Sequence, residues 1–196
     1  DKRHIHCDIL VVGAGPSGLI AALTAARSGA RVVLADEQAQ FGGSLLCTSS
    51  TIGGLRAVDW VKKMVDELRT FSEVKLLNRS TVAGYFDHNF LTINERRTHH
   101  FASGDSDPRM SRERLWRVRA GEVVLATGAI ERPLVFDGND LPGVMLSSAV
   151  TTYIRRYAVA PGKTGVVFTN NDSGYQAAID MAWAGMKVVA IVDSRR

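Results

Sequence analysis

Apolar and polar positions near the start of the chain follow the pattern of a βαβ unit. Residues 9–12 read ILVV, a short and mostly β-branched run bounded by glycine, which predicts a buried parallel strand. The Ala- and Leu-rich stretch 19–28 contains no breaker before Gly29, so it predicts a helix that ends there. A second strand is predicted at 31–35, directly before an acidic pair. The pattern therefore predicts a strand, a helix and a strand in close succession.

The middle of the chain predicts a helix followed by a meander of short strands. Apolar residues recur at helical spacing over 55–71, which predicts an amphipathic helix. Short strands are predicted at 74–77, 81–86, 90–95, 115–119 and 123–126. The polar, charged stretch 96–114 is predicted to be an excursion between strands of the meander.

A second βαβ unit is predicted toward the C-terminal end. A helix at 147–157 precedes it, and the unit comprises a strand at 165–168, a helix at 175–184 and a strand at 187–192. The predicted fold class is α/β, with a Rossmann-type FAD/NAD(P)-binding domain that carries a β-meander insertion and the start of a second Rossmann-like βαβ unit.

Two domains are expected from this order of elements. The dinucleotide-binding domain is assigned to 1–160, and the first βαβ of a second, truncated nucleotide-binding-like domain to 161–196. Because a parallel sheet needs more strands than this to bury both of its faces, we expect the natural polypeptide to continue beyond the second unit.

The glycine cluster between the first strand and the first helix predicts a dinucleotide-binding turn. It has the form GxGxxG, and Asp36 follows about 20 positions after its first glycine, as the fingerprint requires. Gly13 would permit the tight turn, Gly15 the approach of a pyrophosphate, and Gly18 the packing of the helix on the sheet. Free N–H groups and the dipole at the helix N-terminus would hold the anion. The alternative is a glycine turn that binds nothing.

The acidic pair and three further segments complete the predicted cofactor site. Asp36 or Glu37 would accept hydrogen bonds from ribose hydroxyls and would repel a 2′-phosphate, which disfavours NADP. The loop after this pair, a meander strand near the adenine and the turn after 123–126 are also predicted to approach the nucleotide, with ordinary loop, core or turn roles as alternatives. The candidate cofactor-binding residues are Gly13, Ala14, Gly15, Pro16, Ser17, Gly18, Asp36, Glu37, Gln38, Gly43, Ser44, Val82, Thr127 and Gly128.

The predicted second unit lacks glycines where a pyrophosphate would need them. Thr169 and Asn171 stand at the early glycine positions of its turn, TNNDSG, and their side chains would crowd a pyrophosphate. We therefore predict a retained fold with weakened or lost nucleotide binding. The sequence contains no GxSxG, no HExxH and no triad pattern, so no catalytic and no metal-binding residue is predicted.

Charge and cysteine usage narrow the classes of function. The net charge is +4, and much of the excess lies in 96–119 without a nucleic-acid-binding motif, so a solvated loop and no nucleic-acid partner are expected. Cys7 and Cys47 have no CxxC partner, which disfavours dithiol redox chemistry. The sequence has no apolar run of membrane-spanning length and no signal peptide, which predicts a cytoplasmic protein without a membrane partner.

Three stretches resemble parts of the two-dinucleotide-binding-domain flavoproteins, the superfamily of thioredoxin and glutathione reductases. The first is DILVVGAGPSGLIAALTAARSGARVVLADEQAQFGGSLL, which carries the glycine turn. The second is GEVVLATGAIERPLVFDGNDLPGVM, which is similar to the segment that joins the two domains of these flavoproteins. The third is FTNNDSGYQAAIDMAWAGMKVVAIVD, which is similar to the start of their second domain with its glycines replaced. In combination they most resemble the α subunits of heterotetrameric sarcosine oxidases.

This resemblance implies a cofactor, a reaction and partners. NAD would occupy the site where relatives hold FAD, with contacts at 13–18, Asp36, Glu37, Gln38, Ser44 and near Val82. The complex would demethylate sarcosine oxidatively to glycine, formaldehyde or methylene-tetrahydrofolate, and hydrogen peroxide. FMN, FAD and tetrahydrofolate would lie elsewhere in the complex, the flavins chiefly with a β subunit, and this chain alone is not expected to be active.

Two other functions remain open from the sequence. The first is an FAD-binding subunit of a related flavin-dependent amino-acid or opine dehydrogenase, or of a pyridine nucleotide-dependent oxidoreductase. The second is a non-catalytic scaffold that keeps the fold and binds a partner subunit but no nucleotide.

Overall fold

The computed structural model describes residues 1–102, 105 and 107–195. The described elements are β1 (Lys2–Val12), α1 (Pro16–Arg27), β2 (Val32–Ala35), a short 3-10 helix (Gly43–Cys47), β3 (Thr51–Ile52), β4 (Leu55–Arg56), α2 (Ala57–Leu68), β5 (Val74–Leu77), β6 (Ser80–Phe86), β7 (Phe90–Arg96), β8 (Glu113–Leu125), α3 (Ser147–Tyr157), β9 (Thr164–Thr169), α4 (Ser173–Trp183) and β10 (Lys187–Asp193). They form the α/β fold with two βαβ units and a meander that the sequence predicts.

The chain divides into two compact units. The first comprises Asp1–Leu45 and Ser50–Gly128, and the second comprises Leu46–Ser49 and the stretch from Ala129 onward. This division falls before the boundary at residue 160 expected from the sequence, and that boundary stays a prediction.

A six-stranded sheet organises the first unit, in the order β5-β2-β1-β8-β7-β6. Strands β5, β2, β1 and β8 are parallel, whereas β7 and β6 continue the sheet in antiparallel pairing. Val12 is in register with both Ala35 and Leu125, so β1, β2 and β8 end at the same edge. In a Rossmann-type sheet this edge is where a nucleotide lies.

The sequence divided β8 into two strands, at 115–119 and 123–126, and this was wrong. β8 is continuous over Glu113–Leu125 because it pairs along nearly its whole length with β1. Gly121 and Glu122, which read as a break, lie within the paired stretch, and a Cβ on Gly121 would lie 2.8 Å from the carbonyl oxygen of Asp8. The same pairing makes β1 begin at Lys2 rather than at residue 9.

Each face of the sheet buries an apolar cluster. Helices α1 and α2 cover one face, where Leu19, Val61 and Leu68 pack among the core residues. The other face buries the meander side chains, among them Ile93 and Val118. The helix predicted over 55–71 is shorter, Ala57–Leu68, because residues 55 and 56 pair with β3.

The second unit contains a smaller core. β9 and β10 pair in parallel, and Ile154, Val167 and Met181 are buried between these strands and helices α3 and α4. The helix predicted at 147–157 is confirmed at those bounds. Across both units, the described residues contain no helix that is long and apolar enough to cross a membrane.

Candidate functional site

The glycine turn between β1 and α1 has the geometry that its spacing predicts. Gly13 has φ +96°, in the region that favours glycine, and its N–H donates to the carbonyl oxygen of Ala35 at 2.8 Å. A Cβ on Gly13 would collide with the carbonyl oxygen of Ala126, and a Cβ on Gly18 would collide with the carbonyl oxygen of Gly13. Both glycines are therefore required by close packing within the turn.

Gly15 differs from its neighbours because the protein itself does not require glycine there. It is the N-cap of α1, with φ −69° and ψ −173°, a conformation open to any residue. Within the described part of the chain, a Cβ placed on it would meet no atom within 4 Å. The space beside Gly15 is open at the helix N-terminus, where no described side chain caps the first N–H groups. This is a cradle that a side chain would fill and that a bound anion would use.

The residues after Gly15 complete the start of α1. Pro16 is the first helical residue, where its missing N–H removes no helical hydrogen bond. The N–H of Leu19 donates to the carbonyl oxygen of Gly15 at 2.9 Å. Pro16 and Ser17 are exposed and Ala14 is buried.

Asp36 is tied directly to the glycine turn. One carboxylate oxygen, Oδ2, accepts the backbone N–H of Ala14 at 2.7 Å, and the other, Oδ1, accepts the backbone N–H of Gln38 at 2.8 Å. A carboxylate has about four lone-pair sites, so each oxygen retains acceptor capacity beyond these bonds. The neighbouring Glu37 is exposed, and among the described residues only the amide of Gln38, at 3.4 Å, contacts its carboxylate. The two acids that the sequence left as equals therefore have different surroundings.

The loop that carries Gly43 and Ser44 lies against the glycine turn. The N–H of Gly42 donates to the carbonyl oxygen of Ala14 at 2.8 Å. Gly43 has φ +53°, and a Cβ on it would lie 3.0 Å from the Cα of Gly15. Ser44 is exposed in the 3-10 helix, which the sequence did not predict. This loop therefore borders the open space beside Gly15.

The remaining candidate residues approach from two other strands. The N–H of Ser80 donates to the carbonyl oxygen of Asp36 at 2.8 Å, which holds the start of β6 beside the end of β2. Val82 lies two residues further along β6 and is half-buried. Thr127 and Gly128 are exposed after β8, and the Thr127 nitrogen would lie 3.2 Å from a Cβ on Gly13.

Three residues that sequence reasoning missed hold the loop after β2. Arg96 donates through Nη2 to the carbonyl oxygen of Glu37 at 2.7 Å, and Asn78 donates through Nδ2 to that of Ala39 at 2.7 Å. The backbone N–H of Arg79 donates to the carbonyl oxygen of Gln38 at 2.8 Å. No local motif marks them, because each contact depends on the register of the meander.

The second turn, between β9 and α4, is closed by its own side chains. The Oγ1 of Thr169 donates to the carbonyl oxygen of Asn171 at 2.8 Å. The Oδ1 of Asn171 accepts the backbone N–H of Ser173 at 2.9 Å, so it takes a donor at the start of α4 that a phosphate would use. A Cβ on Gly174 would lie 2.6 Å from the Cβ of Thr169, so this glycine serves packing.

Asp193, the acidic residue at the end of β10, forms a hydrogen bond and an ion pair with other residues of the chain. Asp193 accepts the hydroxyl of Tyr175 at 3.0 Å and pairs with Arg195 at 2.7 Å. The Arg195 guanidinium holds the pKa of the Asp193 carboxyl well below its usual range, and the hydrogen bond to Asp193 raises the pKa of Tyr175. In a Rossmann unit this acid would be free for a ribose.

A cavity of about 390 Å³ lies beside the second turn. Glu131 lines it and accepts the hydroxyl of Ser147 and, at 2.7 Å, the backbone N–H of Ser148. Burial raises the pKa of Glu131, but the hydrogen bonds from these serines outweigh it and leave that pKa below its ordinary value. Glu131 thus caps α3 from outside the helix.

Comparison with known proteins identifies the first unit. Residues 8–114 match the family model described as FAD dependent oxidoreductase. The sarcosine oxidase subunit alpha of Rhizobium meliloti (strain 1021) is 52% identical over 195 residues, 100% of this chain and 20% of that protein. Its counterpart from Corynebacterium sp. (strain P-1) is 50% identical over 196 residues, with the same two coverages.

A solved structure shows the same fold. The L-proline dehydrogenase from P. horikoshii superposes with a TM-score of 0.77 at 24% identity, covering 100% of this chain and 37% of that one. The chain spans about a fifth of the length of the curated relatives that it matches. The match over residues 8–114, together with the glycine turn that these residues form, shows that the chain belongs to the FAD-dependent oxidoreductase family.

Proposed function

We propose that the chain binds a dinucleotide through its ADP half at the glycine turn, and that this dinucleotide is NAD. The observation that carries the proposal is the open space at Gly15. Neither the backbone conformation nor the packing of the protein requires glycine at this position, whereas the pyrophosphate of a bound nucleotide would. The uncapped N-terminus of α1 supplies the N–H donors and the dipole for that anion.

Asp36 is the residue that we assign to the ribose. Its carboxylate is fixed beside the turn by the N–H groups of Ala14 and Gln38, and its remaining lone pairs accept ribose hydroxyls. The same negative charge would repel a 2′-phosphate, so NADP is disfavoured. Ser44 and Gly43 border the pyrophosphate, and Val82 approaches the adenine from β6. Thr127 and Gly128 close the edge after β8.

The proposed role is that of the NAD-binding portion of the α subunit of a sarcosine oxidase-like complex. Such a complex converts sarcosine to glycine, formaldehyde or methylene-tetrahydrofolate, and hydrogen peroxide. Identities of 50% or more with two sarcosine oxidase α subunits over the whole of this chain support this assignment. A flavin-bearing β subunit is the proposed main partner, with FMN, FAD and tetrahydrofolate held outside this chain in a heterotetramer in the cytoplasm.

FAD at the same turn is the second candidate, and the FAD-dependent oxidoreductase family model favours it. NAD and FAD share the ADP half, so the turn and Asp36 serve either. A bound flavin would supply two-electron redox chemistry and a bound nicotinamide a hydride-accepting ring. The residues of this chain would hold and orient either group and shield the pyrophosphate from water.

The experiment is to denature the purified chain and to identify the released nucleotide by mass and by visible absorbance. NAD without flavin absorbance supports the proposal, and FAD replaces it with the second candidate. When neither is released, the chain is titrated with both nucleotides, and failure of both supports a scaffold.

Substitution at Gly15 tests the site itself. A Gly15→Val chain should keep its fold but bind nucleotide less tightly by about 1–3 kcal/mol, because the valine side chain would fill the space that the bound pyrophosphate needs and overpack the complex. Gly162→Val is the matched control, because Gly162 also lacks a positive φ and has only ordinary contacts around its Cβ position. Equal affinity of the Gly15 and Gly162 variants would contradict the proposed site.

A further inference from the structure

One face of the meander is basic and exposed. Alternate residues of a strand project to opposite faces of its sheet, and the side chains of Cys7, Trp116 and Val118 lie in the buried cluster on one face. The residues of β1 and β8 that alternate with these three therefore lie on the other face. We call this second surface the basic face, and its defining side chains are Lys2, His4, His6, Arg117 and Arg119.

The register of β1 with β8 places these groups side by side. His4 is directly opposite Arg117, and His6 is directly opposite Arg119. Arg117 is half-buried and the other four side chains of the basic face are exposed. The guanidinium of Arg119 lies over the ring of Phe90, 5.2 Å from its centroid. The basic face is thus a fixed array of cationic and imidazole groups on a rigid sheet.

Cations on the opposite face of the same strands are neutralised by carboxylates. Arg114 pairs with Asp1 at 2.7 Å, and Arg3 lies 3.9 Å from the same carboxylate. On the basic face, in contrast, no carboxylate among the described residues forms an ion pair with Lys2, Arg117 or Arg119. Arg119 donates through Nη1 to the carbonyl oxygen of His88 at 3.1 Å, but its charge and those of Lys2 and Arg117 are not neutralised by a carboxylate of the described residues.

Two acidic residues at the margins of the basic face already have partners of their own. Glu113, at one end of β8, contacts His99 at 3.3 Å, and Asp8, at the other end of the array, pairs with Arg31 at 2.6 Å. Asp87 is exposed in the turn between β6 and β7. The carboxylates of Glu113 and Asp8 are thus directed to other partners. Asp87 and Glu122, the latter exposed in β8 opposite Ile9, form no ion pair with Lys2, Arg117 or Arg119 within the described part of the chain.

We propose that the basic face docks an acidic surface of a partner protein. Carboxylates of the partner would pair with Arg117, Arg119 and Lys2, and such complementarity speeds association and fixes the register of an interface. Phe86, which is 54% exposed and packs against Phe90, provides an apolar contact beside the cations. Arginine and aromatic side chains are enriched in the buried parts of protein interfaces.

Two other occupants fit the basic face less well. A second copy of this chain would bring the same positive charge to it and would be repelled. A nucleic acid would use several open aromatic rings for base stacking, whereas here Arg119 covers the ring of Phe90 and only the neighbouring Phe86 is offered beside the cations described above. The proposal goes beyond the nucleotide site, because no residue of the basic face belongs to the glycine turn.

The test uses fluorescently labelled poly-L-glutamate as the acidic polypeptide and the purified 196-residue chain. We expect binding at low salt that weakens as salt rises, because exposed charges are screened. The double variant Arg117→Gln/Arg119→Gln should bind about tenfold more weakly, the loss expected when interface charges worth about 1.4 kcal/mol together are removed. The matched control is Lys62→Gln/Lys63→Gln, which removes two exposed cations from α2 and should bind within about twofold of the unchanged protein.

Each alternative result overturns the proposal. Equal weakening by the two double variants would show attraction to net charge alone, and absence of binding at low salt would show that no docking surface exists. Tighter binding of single-stranded oligothymidylate, sensitive to Arg117 and Arg119, would assign the basic face to a nucleic acid. If the arginine variant does not fold, as judged by circular dichroism, Lys2→Gln/His6→Gln takes its place. Nucleotide content is measured in the same samples, so that loss of polyglutamate binding can be distinguished from loss of nucleotide binding at the glycine turn.

Discussion

The two acidic residues after β2 show how a single side chain can be assigned from its hydrogen bonds. Asp36 is fixed by the N–H groups of Ala14 and Gln38, whereas Glu37 is exposed and its carboxylate is contacted, among the described residues, by the side-chain amide of Gln38 rather than by the turn. Sequence spacing predicts an acid here but does not distinguish between these neighbours. The distinction depends on side-chain direction at the end of a strand, which the structure supplies.

Replacing Asp36 should change nucleotide selectivity. In Asp36→Asn the negative charge is lost but the size and one acceptor remain, so repulsion of a 2′-phosphate disappears. We expect the affinity of NADP relative to NAD to rise about tenfold, equivalent to about 1.4 kcal/mol, as measured by isothermal titration calorimetry. Glu37→Gln is the control and should leave the ratio within about twofold. A larger effect at Glu37 would transfer the ribose contact to that residue.

The two cysteines should differ in reactivity. Burial, and then the neighbouring carboxylate of Asp8, raises the pKa of the Cys7 thiol to about 11, and Cys7 is 4% exposed. The thiolate is the reactive form, so iodoacetamide at pH 8 should label Cys47 and leave Cys7 unmodified in the native protein. Mass spectrometry of peptides reads the labelling, and both cysteines should react in denaturant. Native labelling of Cys7 at the rate of Cys47 would contradict the buried position of β1.

The raised pKa of the Cys7 thiol should also lower the free energy of unfolding as pH rises into the alkaline range. Because its native pKa lies above the value of 9.0 for an unperturbed thiol, the unfolded chain loses this proton first as pH rises. The native state then binds more protons than the unfolded state, so the contribution of Cys7 to stability falls between about pH 9 and pH 11. Cys7→Ala should flatten this part of the profile of unfolding free energy against pH.

At the scale of elements, some features follow from local sequence patterns and others depend on the pairing of strands that are distant in sequence. The first βαβ unit, Gly29 after α1, and α3 follow from short patterns, since capping and apolar periodicity involve neighbours in sequence. The continuity of β8 does not follow from a short pattern, because Gly121 and Glu122 interrupt the apolar run and the strand continues through them only by its pairing with β1 on both sides. The contact of Arg96 with the loop after β2 could not be predicted for the same reason, because its guanidinium donates to the carbonyl oxygen of Glu37, 59 positions away in sequence.

Helices α3 and α4 are joined by a buried ion pair that should dominate their stability. Asp180 is 1% exposed and accepts two bonds from Arg155, the shorter at 2.7 Å, while Arg155 also lies over the ring of Trp183. Removing one member of a buried pair leaves the other charge unpaired, so Asp180→Asn should destabilise these helices by about 3 kcal/mol.

Hydrogen–deuterium exchange of peptides from α3 and α4 measures this loss without requiring both units to unfold together. Asp66→Asn is the control, because its pair with Arg69 is exposed and should contribute no more than about 0.5 kcal/mol. Equal exchange in the two variants would show that the Asp180 pair contributes no more than a surface pair.

At the scale of the whole molecule, the two βαβ units have the same order of strand, helix and strand, but their turns differ in whether a ligand could bind. In the first, Gly15 leaves an open space and the helix N-terminus is uncapped. In the second, Asn171 and Arg195 occupy the positions that a phosphate and a ribose would contact. The sequence predicts the loss in the second unit from its missing glycines, but the side chains that fill those positions are visible only in the structure.

This asymmetry predicts one dinucleotide for each chain. Titration of nucleotide-free protein should give a stoichiometry of about one, because the side chain of Asn171 already takes the N–H of Ser173 in the second turn. Gly15→Val should weaken this single binding event by about 1–3 kcal/mol. Asn171→Gly frees the N–H of Ser173 at the start of α4 and is the matched test of the second unit. Because Arg195 and Tyr175 still engage Asp193, we expect no second binding event in that variant. A stoichiometry near two in the unchanged chain, or a binding event whose affinity is unchanged in Gly15→Val, would show that the second turn binds nucleotide despite its own hydrogen bonds.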